Sequence, residues 1–284
     1  MKKVALVLEG GGLRSLYTAG ILDVMMENNI HVDCIIGVSA GALFGINYLS
    51  KQPGRVIRYN KAYGRNKNYM GLYSLITTGN VMNKEFCFDK LVNELDPFDY
   101  DEYNKSNIKF YATVTNVKDG KAEYIEIKDL HDEKQMEYLR ASGSMPLVSK
   151  IVRIDNEGYL DGAVGDSIPV VKALEMGYDK VIVVETRVGD YRMPHKKRPY
   201  AKLWYRKYPE FLKAFIDRDI MYNKTLDTIE ELEKDGKIFV IKPSEYVKIS
   251  RVEKNPKVMD KQYNLGIDDG KKTIKNLKKY LGVN

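Results

Sequence analysis

The stretch Cys34-Ile35-Ile36-Gly37-Val38-Ser39-Ala40-Gly41-Ala42-Leu43 limits what this chain can fold into more than any other. A short β-branched run leads into Gly-x-Ser-x-Gly, and an Ala/Leu-rich helical pattern follows at once. This is the sequence form of a nucleophile elbow, a tight strand-to-helix turn with serine at its apex. Gly37 and Gly41 suit it because a Cβ at either place would crowd the strained backbone and the helix behind it. The Ser39 hydroxyl then stands clear of the sheet near the positive end of the next helix. The five-residue pattern also matches many proteins by chance, so the rest of the chain has to decide.

An elbow needs a sheet on one side and helices on the other, and the chain supplies both. Val4-Ala5-Leu6-Val7-Leu8 reads as a first buried strand; it breaks at Glu9 and is too short for a signal-peptide core, which gives the expectation of a cytosolic protein. Glu9-Gly10-Gly11-Gly12-Leu13-Arg14-Ser15 follows, then an apolar helical face as far as Glu27. The elbow helix runs to Leu49, and 52–79 is an irregular Tyr/Asn/Gly-rich stretch, either a lid or a surface excursion. The spacing predicts a helix over 83–95, a hairpin of strands 110–115 and 122–127, and a helix from an Asp132 cap to Arg140. A second hairpin over 151–160 ends in Asp161-Gly162-Ala163. Pro169 opens a helix, and Lys180–Thr186 is a nearly continuous β-branched run, as expected of a strand covered on both faces. A helix over 221–234, a strand over 238–241 and a closing helix from about Asp268 to Leu281 complete the pattern. The alternation predicts a single α/β domain with a mostly parallel central sheet flanked by helices, a core over 4–186, and a C-terminal extension over 187–284 packed on it.

Charge is concentrated. Arg192–Arg218 holds nine Lys/Arg and two Asp/Glu, which accounts for the net charge of +7. With Tyr200, Trp204, Tyr205, Tyr208, Phe211 and Phe215 interleaved, residues 192–218 are a candidate peripheral contact with anionic membrane at the inner surface; a solvated face is the plainer alternative. Nucleic acid is not expected as a partner. Two cysteines, Cys34 and Cys87, and three scattered histidines give no disulfide framework and no metal pattern.

The chemistry follows from what stands near serine in the chain. Gly10, Gly11 and Gly12, between a strand and a helix, expose backbone N–H groups that suit an anion or a developing oxyanion. A dinucleotide loop is the competing reading, but its last glycine position is Ser15 and no acid ends the second strand. A serine nucleophile also needs a proton acceptor. His131 reads as a surface turn and His195 lies among cations, so neither looks like a triad member. Asp161 ends a strand with Gly162-Ala163 leaving its carboxylate unobstructed, and in a desolvated pocket it can serve as the base; an Asp-Gly pair can also be a mere turn.

Together Gly10-Gly11-Gly12-Leu13-Arg14, Gly37-Val38-Ser39-Ala40-Gly41 and Asp161-Gly162-Ala163 resemble the patatin-like phospholipases over Val4 to Ala173. Ala19-Gly20-Ile21-Leu22, the Ala141-Ser142…Pro146 turn and Pro169-Val170 match as well. One position departs: Ser15 stands where the family often has glycine, and a positive φ there would strain it. The resemblance implies hydrolysis of lipid or phospholipid acyl esters by a Ser39–Asp161 dyad through an acyl-serine, without metal or cofactor. Gly37, Gly41 and Gly162 would support the motifs, and Arg14 would anchor the loop or meet a phosphate. The alternatives are a non-catalytic membrane- or protein-binding module on the same fold, and an acyltransferase using the same dyad.

Overall fold

One strand organises the architecture, and its two edges explain where everything else lies. In the computed structural model, which describes residues 2–283, the chain runs β1 (Val4–Leu8), α1 (Leu16–Glu27), β2 (Cys34–Val38) and α2 (Ala40–Leu49). Then come α3 (Arg55–Tyr63), α4 (Leu72–Thr78), a π-helical segment Phe86–Leu95 and α5 (Tyr100–Lys105). β3 (Lys109–Asn116) and β4 (Ala122–Glu126) are followed by α6 (Glu133–Ser142), β5 (Val152–Ile154), β6 (Glu157–Asp161), α7 (Val170–Glu175) and β7 (Lys180–Val184). The chain closes with α8 (Ala201–Trp204), α9 (Pro209–Ile216), α10 (Arg218–Lys234), β8 (Ile238–Ile241) and α11 (Pro256–Leu281).

The strands form one sheet in the order β5-β6-β3-β2-β1-β7-β8, with β4 also on β3; the run from β3 to β8 is parallel, as expected of a mostly parallel α/β domain. β4 pairs with Tyr111–Thr115 and so takes one edge of β3. β2 pairs with Lys109–Thr113 and must take the other. β6 pairs antiparallel with Val114–Asn116 on that same edge. β2 and β6 therefore meet head-on, with Val38 opposite Thr113 and Asp161 opposite Val114.

Both faces of the sheet are covered, which is why its strands read as unbroken apolar runs. Leu6, Leu8, Ile35 and Phe110 pack against Tyr17, Ile21, Ala42 and Leu277 on one face. Ala5, Val7, Cys34 and Val183 pack against Val170, Tyr222 and Ile229 on the other. Among the described residues no helix is long and apolar enough to cross a membrane.

Several expectations need correction. The stretch 52–79 holds two helices, α3 and α4, rather than irregular chain. Arg55, buried, bonds Asn47 Oδ1 at 3.0 Å and pairs with Asp96 at 3.3 Å, and these tertiary partners hold a segment whose own helical signal is weak. The closing helix starts at Pro256, not Asp268, capped by Asn255 accepting from the Lys257 N–H at 3.1 Å. Gly266 stands before the expected start, and the backbone of α1 lies against it: a Cβ there would sit 2.1 Å from Tyr17 O. In the basic segment, Tyr205, Phe211 and Phe215 are buried in a cluster with Val117 and Leu160, so these three rings serve the core. Tyr200, Leu203 and Trp204 are exposed.

Gly266→Ala tests the close α1–α11 approach. Alanine raises helix propensity by about 1 kcal/mol, but overpacking against backbone that cannot move aside costs about 1–3 kcal/mol. We expect a net loss of stability in chemical denaturation, and a variant more stable than wild type would contradict this packing.

Candidate active site

Ser39 leaves β2 with φ 55° and ψ −125°, a backbone region that costs a non-glycine residue about 1–3 kcal/mol and is held only when the surroundings enforce it. Three contacts do so. A Cβ on Gly37 would lie 2.5 Å from Ala42 Cα, and one on Gly41 would lie 2.5 Å from Leu8 O, so only glycine lets α2 turn back this tightly. The Ser39 N–H donates to Ser142 Oγ at 2.9 Å, tying the elbow to the end of α6. The sequence hinted at this partner only as part of the Ala141-Ser142…Pro146 turn.

The head-on meeting of β2 and β6 brings Asp161 to Ser39. Ser39 Oγ donates to Asp161 Oδ2 at 2.7 Å, and Asp161 Oδ1 accepts from the Ala163 N–H at 2.9 Å. The Asp161 N–H donates to Ser144 O at 2.9 Å, and Thr115 Oγ1 donates to Asp161 O at 2.8 Å. A Cβ on Gly162 would lie 2.1 Å from Thr113 O, so the turn after Asp161 presses on β3 itself. Asp161 is buried, and burial pushes its carboxyl above the usual range; the bonds from Ser39 and Ala163 and the nearby Arg218 and Arg251 only moderate this.

Gly10, Gly11 and Gly12 lie alongside. A Cβ on Gly10 would be 2.8 Å from both Ser39 Cβ and Val38 O, so this loop touches the serine directly. Among the described residues no protein group accepts from the N–H of Gly10, Gly11 or Gly12. Gly12 alone of the three has positive φ, +58°. Ser15 has φ −69°, so the departure at this position brings no strain. Arg14 does not anchor the loop through its side chain: its Nε is buried without a partner, while its carbonyl accepts from Gln262 Nε2 at 2.9 Å. Burial, with Arg187 and Arg251 adding, pushes its guanidinium down to about 10.

No histidine joins this group. His31 pairs weakly with Asp33, whose Oδ2 accepts from the Val4 N–H at the far end of β1. His131 stacks on Tyr100. His195 is not simply surrounded by cations: its Nδ1 lies 3.1 Å from Asp219, a buried carboxylate that α10 brings back to it.

Two cavities open at Ser39. One is walled by Leu43, Phe44, Tyr59, Tyr69, Met70 and Leu91, so the 52–98 segment forms its far side. The other, the larger of the two, reaches Gly10–Gly12 and Asp161 and is lined by Arg14, Arg187, Arg198, Arg218 and Arg251. Sequence reasoning assigned none of the last four to the site; they carry no motif and become neighbours only through the fold.

An α/β protein with a serine bonded to a buried carboxylate at the carboxyl ends of its parallel strands is the class that fold and site define. The chain belongs to the patatin-like phospholipase family, whose model matches residues 6–174. A second family model, described as a domain of unknown function (DUF6363), matches residues 208–282. Among curated relatives, the protein called "Uncharacterized protein YjjU" of Escherichia coli (strain K12) is 26% identical over 189 residues, covering 65% of this chain and 52% of that protein. Lysophospholipase NTE1 of Coccidioides immitis is 27% identical over 210 residues, covering 68% of this chain and 12% of its own length. Lysophospholipase NTE1 of Saccharomyces cerevisiae is 26% identical over 206 residues, covering 67% of this chain and 11% of its own length. The chain thus spans about half the length of the bacterial relative and about a tenth of the fungal ones. Among solved structures, VipD from Legionella pneumophila aligns with 97% of this chain and 67% of its own, at a TM-score of 0.46 and 13% identity. Family and relatives together support a lipid hydrolase in general terms.

The raised Asp161 pKa has a consequence for stability. A folded carboxyl that holds its proton more tightly than the unfolded one, about 3.9, stabilises the protein below that value. This contribution is lost as pH rises through the folded pKa. We expect the melting temperature of Asp161→Asn to gain on wild type as pH rises through this window and then level off. A gap that shrinks with rising pH would show that the carboxyl is not held high.

Proposed function

We propose that this chain hydrolyses acyl esters of lipids, of the phospholipase A or lysophospholipase type, through a covalent acyl-serine. The observation that carries the reading is the 2.7 Å bond from Ser39 Oγ to Asp161 at the mouth of an apolar cavity. The relatives named as lysophospholipases support the substrate class. The acyl chain lies among Leu43, Phe44 and Met70, and the ester carbonyl meets Ser39. Asp161 takes the hydroxyl proton as Oγ attacks the carbonyl carbon. The free N–H groups of Gly11 and Gly12 receive the oxyanion; losing one such donor typically costs about 10²–10³ in rate. The tetrahedral intermediate collapses, Asp161 returns its proton to the leaving alcohol, and the acyl group stays on Ser39. Water then repeats the sequence, releasing the carboxylic acid and restoring the serine.

Burial serves this chemistry, because a carboxylate held above its usual range is a stronger base toward a hydroxyl. Activity requires the ionised form, so kcat/KM rises with pH through the Asp161 pKa. Asp161→Asn is expected to lower turnover of a short-chain p-nitrophenyl ester by about 10²–10⁴, while His31→Gln/His131→Gln/His195→Gln stays within a few-fold of wild type. A fluorophosphonate probe should label wild type and not Ser39→Ala. A histidine change that abolishes turnover in folded protein, or labelling that survives in Ser39→Ala, would overturn the dyad.

Access to lipid calls for a membrane contact, and we place it on the solvent face of 192–218 rather than on all its aromatics. Tyr200, Leu203 and Trp204 are exposed beside Lys197 and Lys202. Such rings favour the interface, and each basic residue near an anionic surface contributes about 1 kcal/mol. Co-sedimentation with anionic vesicles should weaken with salt, with Leu203→Ala/Trp204→Ala and with Lys197→Glu/Lys202→Glu. Binding indifferent to all three changes would remove the contact.

A further inference from the structure

The larger of the two cavities at Ser39 carries a charge imbalance that ester hydrolysis does not require. Arg14, Arg187, Lys196, Arg198, Arg218 and Arg251 line it, and Asp161 is its one acid. Among the described residues none of these six cations has a carboxylate within salt-bridge distance. What they do hold is neutral: Arg218 Nε donates to Ala163 O at 2.5 Å and its Nη2 to Ser167 Oγ at 3.2 Å, Arg198 donates to Phe215 O, and Arg187 lies over the Tyr191 ring at 4.3 Å. Two other buried acids in the neighbourhood are already engaged. Glu9 accepts from Tyr222 Oη at 2.7 Å and from Thr186 Oγ1 at 2.9 Å, and Asp219 faces His195.

The cations crowd one another. At Arg14, burial and then Arg187 and Arg251 depress the guanidinium while Glu9 opposes them; at Arg218, burial depresses it, Asp161 opposes, and Arg251 and Arg198 add to the depression. Asp161 and Glu9 offset this only in part, and an entering anion would relieve the remaining repulsion. Guanidinium forks suit phosphate, which accepts two parallel bonds from each. A choline or ethanolamine group would bring a further cation into the same space.

We propose that this cavity is the head-group site and selects lipid esters whose head group ends in a phosphate monoester over zwitterionic or neutral ones. The inference rests on the lipid hydrolase reading above and names the substrate class within it. The acyl chain enters the apolar cavity and the phosphate enters the basic one. The ester carbonyl between them lies at Ser39, which borders both.

The test uses monoacyl lipids of one short chain, below micelle formation, bearing glycerol 3-phosphate, glycerophosphocholine or plain glycerol. Titration calorimetry on folded Ser39→Ala separates binding from turnover. The phosphate monoester should bind at least about tenfold tighter than the choline lipid, as expected of one or more charged hydrogen bonds. The preference should shrink with salt and collapse when Arg187→Gln and Arg251→Gln are added. Equal binding of all three lipids overturns the proposal without touching the hydrolase reading, and needs no arginine variant. Inorganic phosphate binding as tightly as the acylated phosphate also overturns it, in favour of a free-anion site. In wild type, the ratio of kcat/KM for the phosphate monoester to that for the choline lipid should follow the same order. Selective binding with no turnover of any ester supports the head-group site and sinks the hydrolase reading instead.

Discussion

Two adjacent residues on one edge of β3, Thr113 and Val114, decide where Ser39 and Asp161 meet. β2 runs along that edge to Val38 opposite Thr113, β6 runs back along it to Asp161 opposite Val114, and the gap between them is closed by Ser39. The serine and the carboxylate are 122 residues apart in the chain, yet their 2.7 Å bond follows from backbone register rather than from a flexible loop finding its place. β4 on the opposite edge fixes β3, and the helices on both faces fix the sheet. A slip of one residue in β6 would send every side chain of that strand to the other face and carry Asp161 away from the site.

This frame explains which parts of the molecule were legible in the sequence. Val4–Leu8, Cys34–Val38 and residues 181–184 are covered on both faces, and a strand so covered must be apolar throughout, which leaves a plain signal. The elbow, the glycine loop and Asp161-Gly162 were legible for a different reason: each needs a residue without a Cβ at a fixed place, and a hypothetical Cβ at Gly37, Gly41 or Gly162 falls within 2.5 Å of backbone. Gly266 arises from the same constraint, but inside a helix it reads as an interruption, so the first three turns of α11 were missed. α3 was missed because a contact made 41 residues along the chain, Arg55 on Asp96, stabilises it. The four arginines beyond Arg14 were illegible as a site, since a basic residue facing solvent and one facing a cavity look the same in a string of letters.

Asp161 shows what burial costs a carboxyl at a single place in the fold. Its carboxyl is buried, and the bonds it accepts from Ser39 Oγ and Ala163 N–H do not make up for the water it has lost. A neutral amide in the same place would sit more easily. The strained Ser39 backbone adds a second cost, borne by Gly37, Gly41 and the Ser142 hydroxyl. Both lie within one hydrogen bond of each other, and the covered sheet beneath is what makes them tolerable.

The two cavities at Ser39 draw on different lengths of chain. The apolar walls come almost wholly from residues before 150, as do Ser39 and the glycine loop, whereas five of the six basic residues of the other cavity lie beyond residue 186. Arg251 joins the two regions, its carbonyl accepting from the Leu13 N–H at 3.1 Å and its backbone seated on Gly12. The bonded serine and the arginine cluster beside it therefore rest on separate lengths of chain. A substitution beyond residue 186 can change the charge facing Ser39 while the elbow and the apolar walls stay as they are.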